Sequence, residues 1–498
     1  MKRNCGTVLL ILLAALASGC ALQPTYERPA APVADAFPAG PAYRSAQNEP
    51  AGATLAAADI GWRDFLRDAR LQRLVELALA NNRDLRVAML NVEQVRAQFR
   101  IQRSALFPQV GAFADATRSH TPAGIATSGK ASTAQTDEIG ISAGWEIDFF
   151  GRLRSLDDAA RQQYFAAAYA RQAAEILLVS QVADQYLTLL AFEEQLRVTQ
   201  ATAATARASY DIVKLQFDTG IGTELALRQA QTVVEQADAN LAAQQRGRAQ
   251  AENALVLLVG QTLPADLPPP LRLQVQPILA DIPEGLPSDL LARRPDILQA
   301  ESLLRAENAN IGAARAAFFP NISLTGNLGT ASTSLAGLFA GGTSAWALIP
   351  SVTVPIFNAG ALSANLDVAK VRKDIGIAQY EKTIQTAFRE VADGLAARGT
   401  YDEQLAALEL YTAAQQRRLE LSDFRYRNGV DNYLTVLTAQ TDYYNAQLAL
   451  VAAQLQRLTS LIDLYRALGG GWIQKTGEAP RSIDAVGSDR PPVPGSSR

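Results

Sequence analysis

The chain contains very few of the residues from which catalytic and metal centres are usually built. Its only histidine is His120, and its two cysteines, Cys5 and Cys20, both lie at the extreme N-terminus. With a single histidine, a Ser-His-Asp relay or a multi-histidine metal site has little to work with. A disulfide framework needs cysteines spread along the chain. We therefore expect no catalytic site, no metal and no cofactor.

The chain also lacks an excess of positive charge. Lys and Arg together number 46 and Asp and Glu number 49, which gives 498 residues a formal net charge of −3. A protein that binds nucleic acid normally carries a basic patch or a basic overall charge. Nucleic acid is therefore not an expected partner.

The N-terminus has the pattern of an export signal. Lys2 and Arg3 precede an apolar run at 8–16, which is shorter than the roughly 20 residues that span a bilayer. This pattern predicts a secretory signal peptide at 1–19. Ser18-Gly19-Cys20 resembles the lipobox of bacterial lipoproteins, which implies that Cys20 is acylated with palmitate and becomes the mature N-terminus. The alternative is plain signal cleavage that leaves a free cysteine. Ala21 after the cysteine indicates sorting to the outer membrane.

The sequence between residues 59 and 473 repeats itself. Asp84 and Pro108 recur with the same spacing as Asp296 and Pro320, and later residues recur at one constant offset, as Gly220 does at Gly429. Such self-similarity predicts two copies of one structural unit. The predicted repeats are 59–270 and 271–473. A Pro- and Ala-rich extended segment precedes them at 20–58, and a flexible tail follows at 474–498.

Four segments alternate apolar and polar residues with a period of two, which predicts strands with one apolar face. The predicted strands are 108–118, 137–149, 320–329 and 345–357. Strands of about ten residues cross a bilayer when they are tilted, although a half-buried sheet of a soluble protein gives the same alternation. In an exported chain we assign the apolar face to lipid. Its residues are Ile139, Ile141, Trp145, Ile147, Leu348, Val352 and Val354.

Helices are predicted for most of the rest of each repeat. Residues 152–219 contain neither Pro nor Gly, and a helix of that length measures about 100 Å. Its counterpart at 361–427 contains Gly376, Gly394 and Gly399, which leave a bend or an interruption open. After each turn follows a helix of about 37 residues with the 3-and-4 spacing of a coiled-coil seam. Shorter helices are predicted at 84–104 and 296–316, directly before the hairpins.

Four membrane strands are too few to close a barrel. Unpaired strand edges cannot face lipid, and closed membrane barrels begin at about eight strands. Three copies would supply twelve strands, although other even totals stay open. The predicted fold is therefore mainly α with a membrane β-barrel, assembled as a trimer whose helices continue the barrel as a tunnel.

Six kinds of motif are distributed over both repeats. They lie at 62–71, at the Phe-Pro pairs 107–108 and 319–320, and at 148–153, 355–360, 425–434 and 468–472. Together they resemble the TolC-like outer-membrane factors, most closely the OprM-like lipoprotein branch. The resemblance implies a homotrimer in the outer membrane of a Gram-negative bacterium. It further implies export of drugs or other small molecules by docking to a periplasmic adaptor (membrane fusion) protein and an inner-membrane pump of the RND type.

The resemblance also implies a periplasmic gate at the tip turns that contain Gly220 and Gly429. Leu434 and Thr438 match the ring that narrows the channel in the family, and Tyr426 matches a tyrosine of its latch. Asp431 lies in the same turn. Some relatives form an ionic latch with an Asp and an Arg at the positions of Ala226 and Asp431, and this latch is not available here because Ala226 carries no charge. We predict closure by apolar packing of Leu434 across the axis.

Other functions explain only part of the pattern. A passive porin accounts for the strands but not for helices of about 100 Å. A structural coiled-coil protein that spans the periplasm accounts for the helices but not for the strands. An enzyme needs catalytic side chains that are brought together at one site. The carboxylates Asp157, Asp158, Glu193 and Glu194 lie on long predicted helices, where charged residues normally form a solvent-exposed face.

Overall fold

The computed structural model describes residues 22–43, 55–280, 282 and 287–478. The predicted signal peptide and the predicted anchor Cys20 lie outside these residues. The same holds for 44–54 of the predicted extended segment and for 479–498 of the predicted tail. The assigned boundaries of these segments and of the two repeats stay predictions.

Nine α-helices occur in the described part of the chain. They are α1 (Trp62–Phe65), α2 (Ala69–Asn81), α3 (Arg83–Ser104), α4 (Arg152–Asp218), α5 (Glu224–Val259), α6 (Pro287–Arg293), α7 (Pro295–Ala316), α8 (Ala361–Arg427) and α9 (Tyr433–Ala467). The two long helices, α4 and α8, span 67 residues each and have the bounds predicted from the sequence. None of the helices in the described ranges combines the length and the apolarity that a membrane crossing requires.

Helix α8 runs through its three glycines without interruption. A Cβ added at Gly376 would lie 3.2 Å from Leu304 Cδ1, and one at Gly394 would lie 3.0 Å from Leu464 Cδ1. These two glycines therefore let neighbouring leucines approach the helix closely. They do not end it.

The four strands form one antiparallel sheet in the order β1-β2-β3-β4. Their bounds are β1 (Gln109–Thr121), β2 (Ser132–Glu146), β3 (Asn321–Ser332) and β4 (Ser344–Thr353). The hairpins extend further into the loops than predicted, because the backbone ladder continues through polar pairs such as Thr117 with Thr136. The predicted strand ends at 147–149 and 354–357 were wrong, since they lie beyond β2 and β4.

The register places the predicted apolar residues of the sheet on one face. Directly paired residues of an antiparallel ladder share a face, and Ile141 pairs with Leu328, which pairs with Trp346. Ile139, Trp145, Leu348 and Val352 lie on the same face by the same pairings, whereas Ile147 and Val354 follow directly after their strands. The opposite face contains mostly small or polar residues. That the apolar face meets lipid stays a prediction.

The chain divides into two compact units that do not coincide with the predicted repeats. The first unit comprises Met1–Ala30, Asn91–Ala167 and Gln299–Glu381, and it contains the sheet. The second comprises Ala31–Leu90, Ala168–Leu298 and Lys382–Arg498, and it contains both turns between the long helices and their partners. Each unit therefore combines segments from both halves of the sequence.

Candidate functional site: the turns between the long helices

Two glycine turns connect α4 to α5 and α8 to α9 in the second unit. Gly220 has a φ of 76° and Gly429 a φ of 71°, a left-handed backbone that glycine adopts without steric cost. The amide of Ile221 donates to the carbonyl of Gln216 at 2.9 Å, and that of Val430 donates to Arg425 at 3.0 Å. These bonds satisfy carbonyls that a helix end otherwise leaves unpaired.

The helices after the turns begin with different caps. Thr223 Oγ1 accepts from the amide of Ala226 at 3.2 Å, so a hydroxyl caps α5. Asn432 Oδ1 accepts from the amide of Thr435 at 3.2 Å, so a side-chain amide caps α9. Both residue types are preferred at this position because they satisfy a free helix amide. The two turns are therefore equivalent in backbone and different in chemistry.

A buried apolar cluster joins the ends of the four helices. Its buried members are Val213, Ala230, Tyr433, Val436 and Leu437. Tyr433 packs there with its ring 5.1 Å from that of Tyr426, and burial raises its pKa. The sequence analysis did not single out Tyr433, so this packing role was missed. A tyrosine as the first residue of an apolar 3-and-4 pattern was the available signal.

Tyr426, a predicted gate residue, connects the two helical hairpins. It extends from the last turn of α8, and its Oη donates to Gln216 Oε1 at 3.1 Å. Gln216 lies in the last turn of α4, so one hydrogen bond links the first hairpin to the second. Gln216 carried no distinguishing signal in the sequence.

Leu434 and Thr438 lie one turn apart on α9, as predicted. Leu434 is 51% exposed and does not belong to the buried cluster. The hydroxyl of Thr438 donates to the carbonyl of Leu434 at 2.9 Å, so its polar group is satisfied within the helix. The face of α9 that these residues share therefore presents an unpacked apolar side chain.

Asp431 has a partner that was not predicted from the sequence. Arg425 donates from Nε to Asp431 Oδ2 at 2.6 Å and from Nη2 to Oδ1 at 3.0 Å. The hydrogen bonds from Arg425 lower the pKa of Asp431. The signal was the placement of an arginine and an aspartate on opposite sides of Gly429 within one turn. Both oxygens of the Asp431 carboxylate are thus engaged by an arginine of the same chain.

Both turns expose apolar side chains. Ile221, Leu225, Phe424 and Val430 are all well exposed around the two glycines. Exposed apolar side chains concentrated around two adjoining helix ends make these turns a candidate surface for contact with other molecules. No group of three or more His, Cys, Asp or Glu residues in the described ranges is arranged to hold a metal ion.

Comparisons with known proteins identify the family of the chain. The profile of the family described as "Outer membrane efflux protein" matches residues 74–261 and 286–470. The chain is 48% identical over 472 residues to the toluene efflux pump outer membrane protein TtgC of Pseudomonas putida, covering 94% of this chain and 96% of that protein. It is 43% identical over 473 residues to the outer membrane protein OprJ of Pseudomonas aeruginosa, covering 95% and 97%.

Solved structures show the same fold. The open state of the MtrE outer membrane channel of Neisseria gonorrhoeae superposes with a TM-score of 0.82 at 40% identity and covers 92% of this chain and 100% of that one. The CmeC outer membrane channel of Campylobacter jejuni superposes with a TM-score of 0.85 at 28% identity and covers 94% and 98%.

Proposed function

Because the chain belongs to the outer membrane efflux protein family, we propose that it works as a homotrimer whose sheets close one barrel. The chain is an outer-membrane channel component of a tripartite efflux system in a Gram-negative bacterium. The number of copies, the class of partner pump, the exported compounds and the mechanism of closure belong to the proposal. Catalysis is not part of the proposed function.

The sheet carries this proposal. Its outer strands, β1 and β4, have no partner strand on their free sides in the described part of the chain. Free edges are not tolerated in lipid, because each unpaired backbone group there costs several kcal/mol. Pairing β4 of one copy with β1 of the next satisfies both edges and preserves the antiparallel order. Three copies then give twelve strands, which form a barrel wide enough to leave an open interior.

The turns support a contact with periplasmic partners. Their apolar side chains are exposed at both hairpins, and the two turns present different polar groups beside them. We assign this surface to a periplasmic adaptor protein that connects the channel to an inner-membrane pump of the RND type. A relative at 48% identity is named as part of a toluene efflux pump, which supports small apolar organic molecules, drugs included, as the exported class.

Closure of the channel is assigned to Leu434. In a threefold assembly its exposed side chain meets two copies of itself around the axis, and apolar contact there stabilises the shut state. Asp431 contributes little to closure because Arg425 of the same chain holds both of its oxygens.

The function is tested by deleting the gene in its native host. We expect the deletion strain to accumulate toluene, and a plasmid copy of the chain to restore extrusion. A copy that is present in the outer membrane and yet restores extrusion of no apolar compound would contradict the proposed substrate class.

A further inference from the structure

A short N-terminal segment of the first unit lies along helix α7. We call residues 22–28 the strap. The carbonyl of Leu22 accepts from Arg315 Nη1 at 3.2 Å, and that of Pro24 accepts from Asn308 Nδ2 at 2.8 Å. Between them the backbone of Gln23 lies so close to Gly312 that a Cβ added to this glycine would be 2.8 Å from Gln23 Cα. The strap is therefore seated on α7 by contacts with its backbone.

A buried carboxylate secures the other end of the strap. The side chain of Glu301 is only 4% exposed. Arg28 donates to both of its oxygens, from Nε at 3.0 Å and from Nη2 at 2.6 Å, and Tyr26 Oη donates at 3.3 Å. Arg305 donates from its own helix at 2.7 Å, and its guanidinium lies 4.9 Å from the centre of the Tyr26 ring.

This arrangement depends on the partners that the strap supplies. A buried charge is tolerated only when it is paired and hydrogen-bonded, and removal of one partner leaves it uncompensated. Burial alone would raise the pKa of Glu301, but the hydrogen bonds from Arg28 and Arg305 lower it below its usual value. Burial and the charge of Glu301 raise the pKa of Tyr26 to about 12, which keeps its donating hydroxyl protonated.

The matching helix of the first half of the sequence shows that these features are specific to the strap. When Asp84 is aligned with Asp296, the positions of Glu301 and Gly312 correspond to Met89 and Arg100 in α3. A carboxylate and a glycine are therefore absent from these two positions of α3.

The strap also has a direction. From Arg28 back to Leu22, its contacts step along α7 from Glu301 through Asn308 and Gly312 to Arg315. Helix α7 ends at Ala316 and β3 begins at Asn321. The strap thus carries the N-terminal end of the chain toward the strands of the first unit.

We propose that the strap is an intramolecular lock that holds residues 22–28 along α7, with Leu22 toward the strand end of the helix and Glu301 as the positioning residue. The lock is independent of any lipid on the chain.

The test measures how fast a maleimide labels a cysteine that replaces Gln23, on the full-length protein purified in detergent. Glu301→Gln and Arg28→Gln are expected to raise the labelling rate about tenfold or more, since a hydrogen bond to a charged group contributes about that factor. Arg28→Lys keeps the charge but loses the bidentate contact, so we expect its labelling rate to lie between those of the wild type and Arg28→Gln. Glu307→Gln, on the same helix but bonded to Asn310, is the matched control and should change nothing.

A second variant displaces the strap from the helix side. Gly312→Ala adds a methyl group that meets both Gln23 and Ser155 Oγ, so it is placed in a Ser155→Ala background, with Ser155→Ala alone as its control. We expect faster labelling only in the double variant. The double variant and Arg28→Gln test the proposal even if Glu301→Gln fails to fold. Arg28 tolerates substitution better than Glu301 because its side chain is 47% exposed.

The role of the lipid is separated by repeating the measurement in a Cys5→Ser, Cys20→Ser background. The lock predicts that the thiol introduced by Gln23→Cys stays protected without acylation. Fast labelling in that background, or no acceleration in Glu301→Gln, Arg28→Gln and the Gly312 variant, would overturn the proposal.

Discussion

At the scale of single residues, Asp184 is the clearest destabilising group of the second unit. It lies on α4 with Oδ1 buried and without a hydrogen-bond partner. Burial and the neighbouring charge of Asp463 raise its pKa from 3.8 to about 7, and Arg466 only partly offsets them. The folded state thus keeps a proton that the unfolded state loses above about pH 4. The contribution of Asp184 to the free energy of unfolding is therefore fully present below about pH 4 and is lost as the pH rises through about 7.

Asp184→Asn should therefore stabilise the protein, and more at high pH than at low pH. We expect the variant to raise the melting temperature by several degrees at pH 8 and by little at pH 4, measured by circular dichroism in detergent. A gain that is equal at both pH values would mean that the carboxylate is not the cause.

Also at residue scale, Leu434→Ser should weaken the shut state of the channel. The substitution removes apolar contact, which stabilises association by about 25 cal/mol per Å². We expect higher conductance in planar bilayers and sensitivity to large antibiotics, whereas Asp431→Asn should leave both near wild type. The reverse result, an open channel in Asp431→Asn and a shut one in Leu434→Ser, would make closure electrostatic.

At the scale of elements, the two faces of β2 should tolerate charge very differently. Ile141 and Ser142 are neighbours on opposite faces, and an arginine at the midplane of a lipid-facing barrel surface costs about 2–4 kcal/mol. Ile141→Arg should therefore reduce the amount of assembled protein in the outer membrane several-fold, and Ser142→Arg should not. Quantitative immunoblots of membrane fractions measure this difference, and equal losses would show that the faces are wrongly assigned.

The elements also show what a sequence can predict. The bounds of α4 and α8 were predictable because each is a run of 67 residues, mostly good helix formers, and a glycine turn follows its C-terminal end. The strand ends were not, because Thr117 and Thr136 pair through their backbones without an apolar signal. The ion pair of Arg425 with Asp431 is local and had a signal that was overlooked, whereas the strap meets α7, at contacts 273 or more residues apart in sequence, only in three dimensions. In the Pro-rich segment 22–43, no periodicity indicated a docking partner.

At the scale of the whole molecule, the lipid anchor should be separable from assembly. Cys20→Ser should abolish incorporation of radiolabelled palmitate while the chain still trimerises, because the strand edges and not the acyl group drive barrel closure. The measurement compares palmitate labelling with the trimer band on native gels. A variant that is exported and folded but stays monomeric would assign assembly to the anchor.

The central claim at this scale is the number of chains that close the barrel. The four strands found in the described ranges leave two free edges that need partners, and three copies provide twelve strands. Native mass spectrometry of the complex released from detergent measures this number directly. We predict a single species with three times the mass of the mature chain. A stable monomer, or a closed complex with any other number of chains, would contradict it.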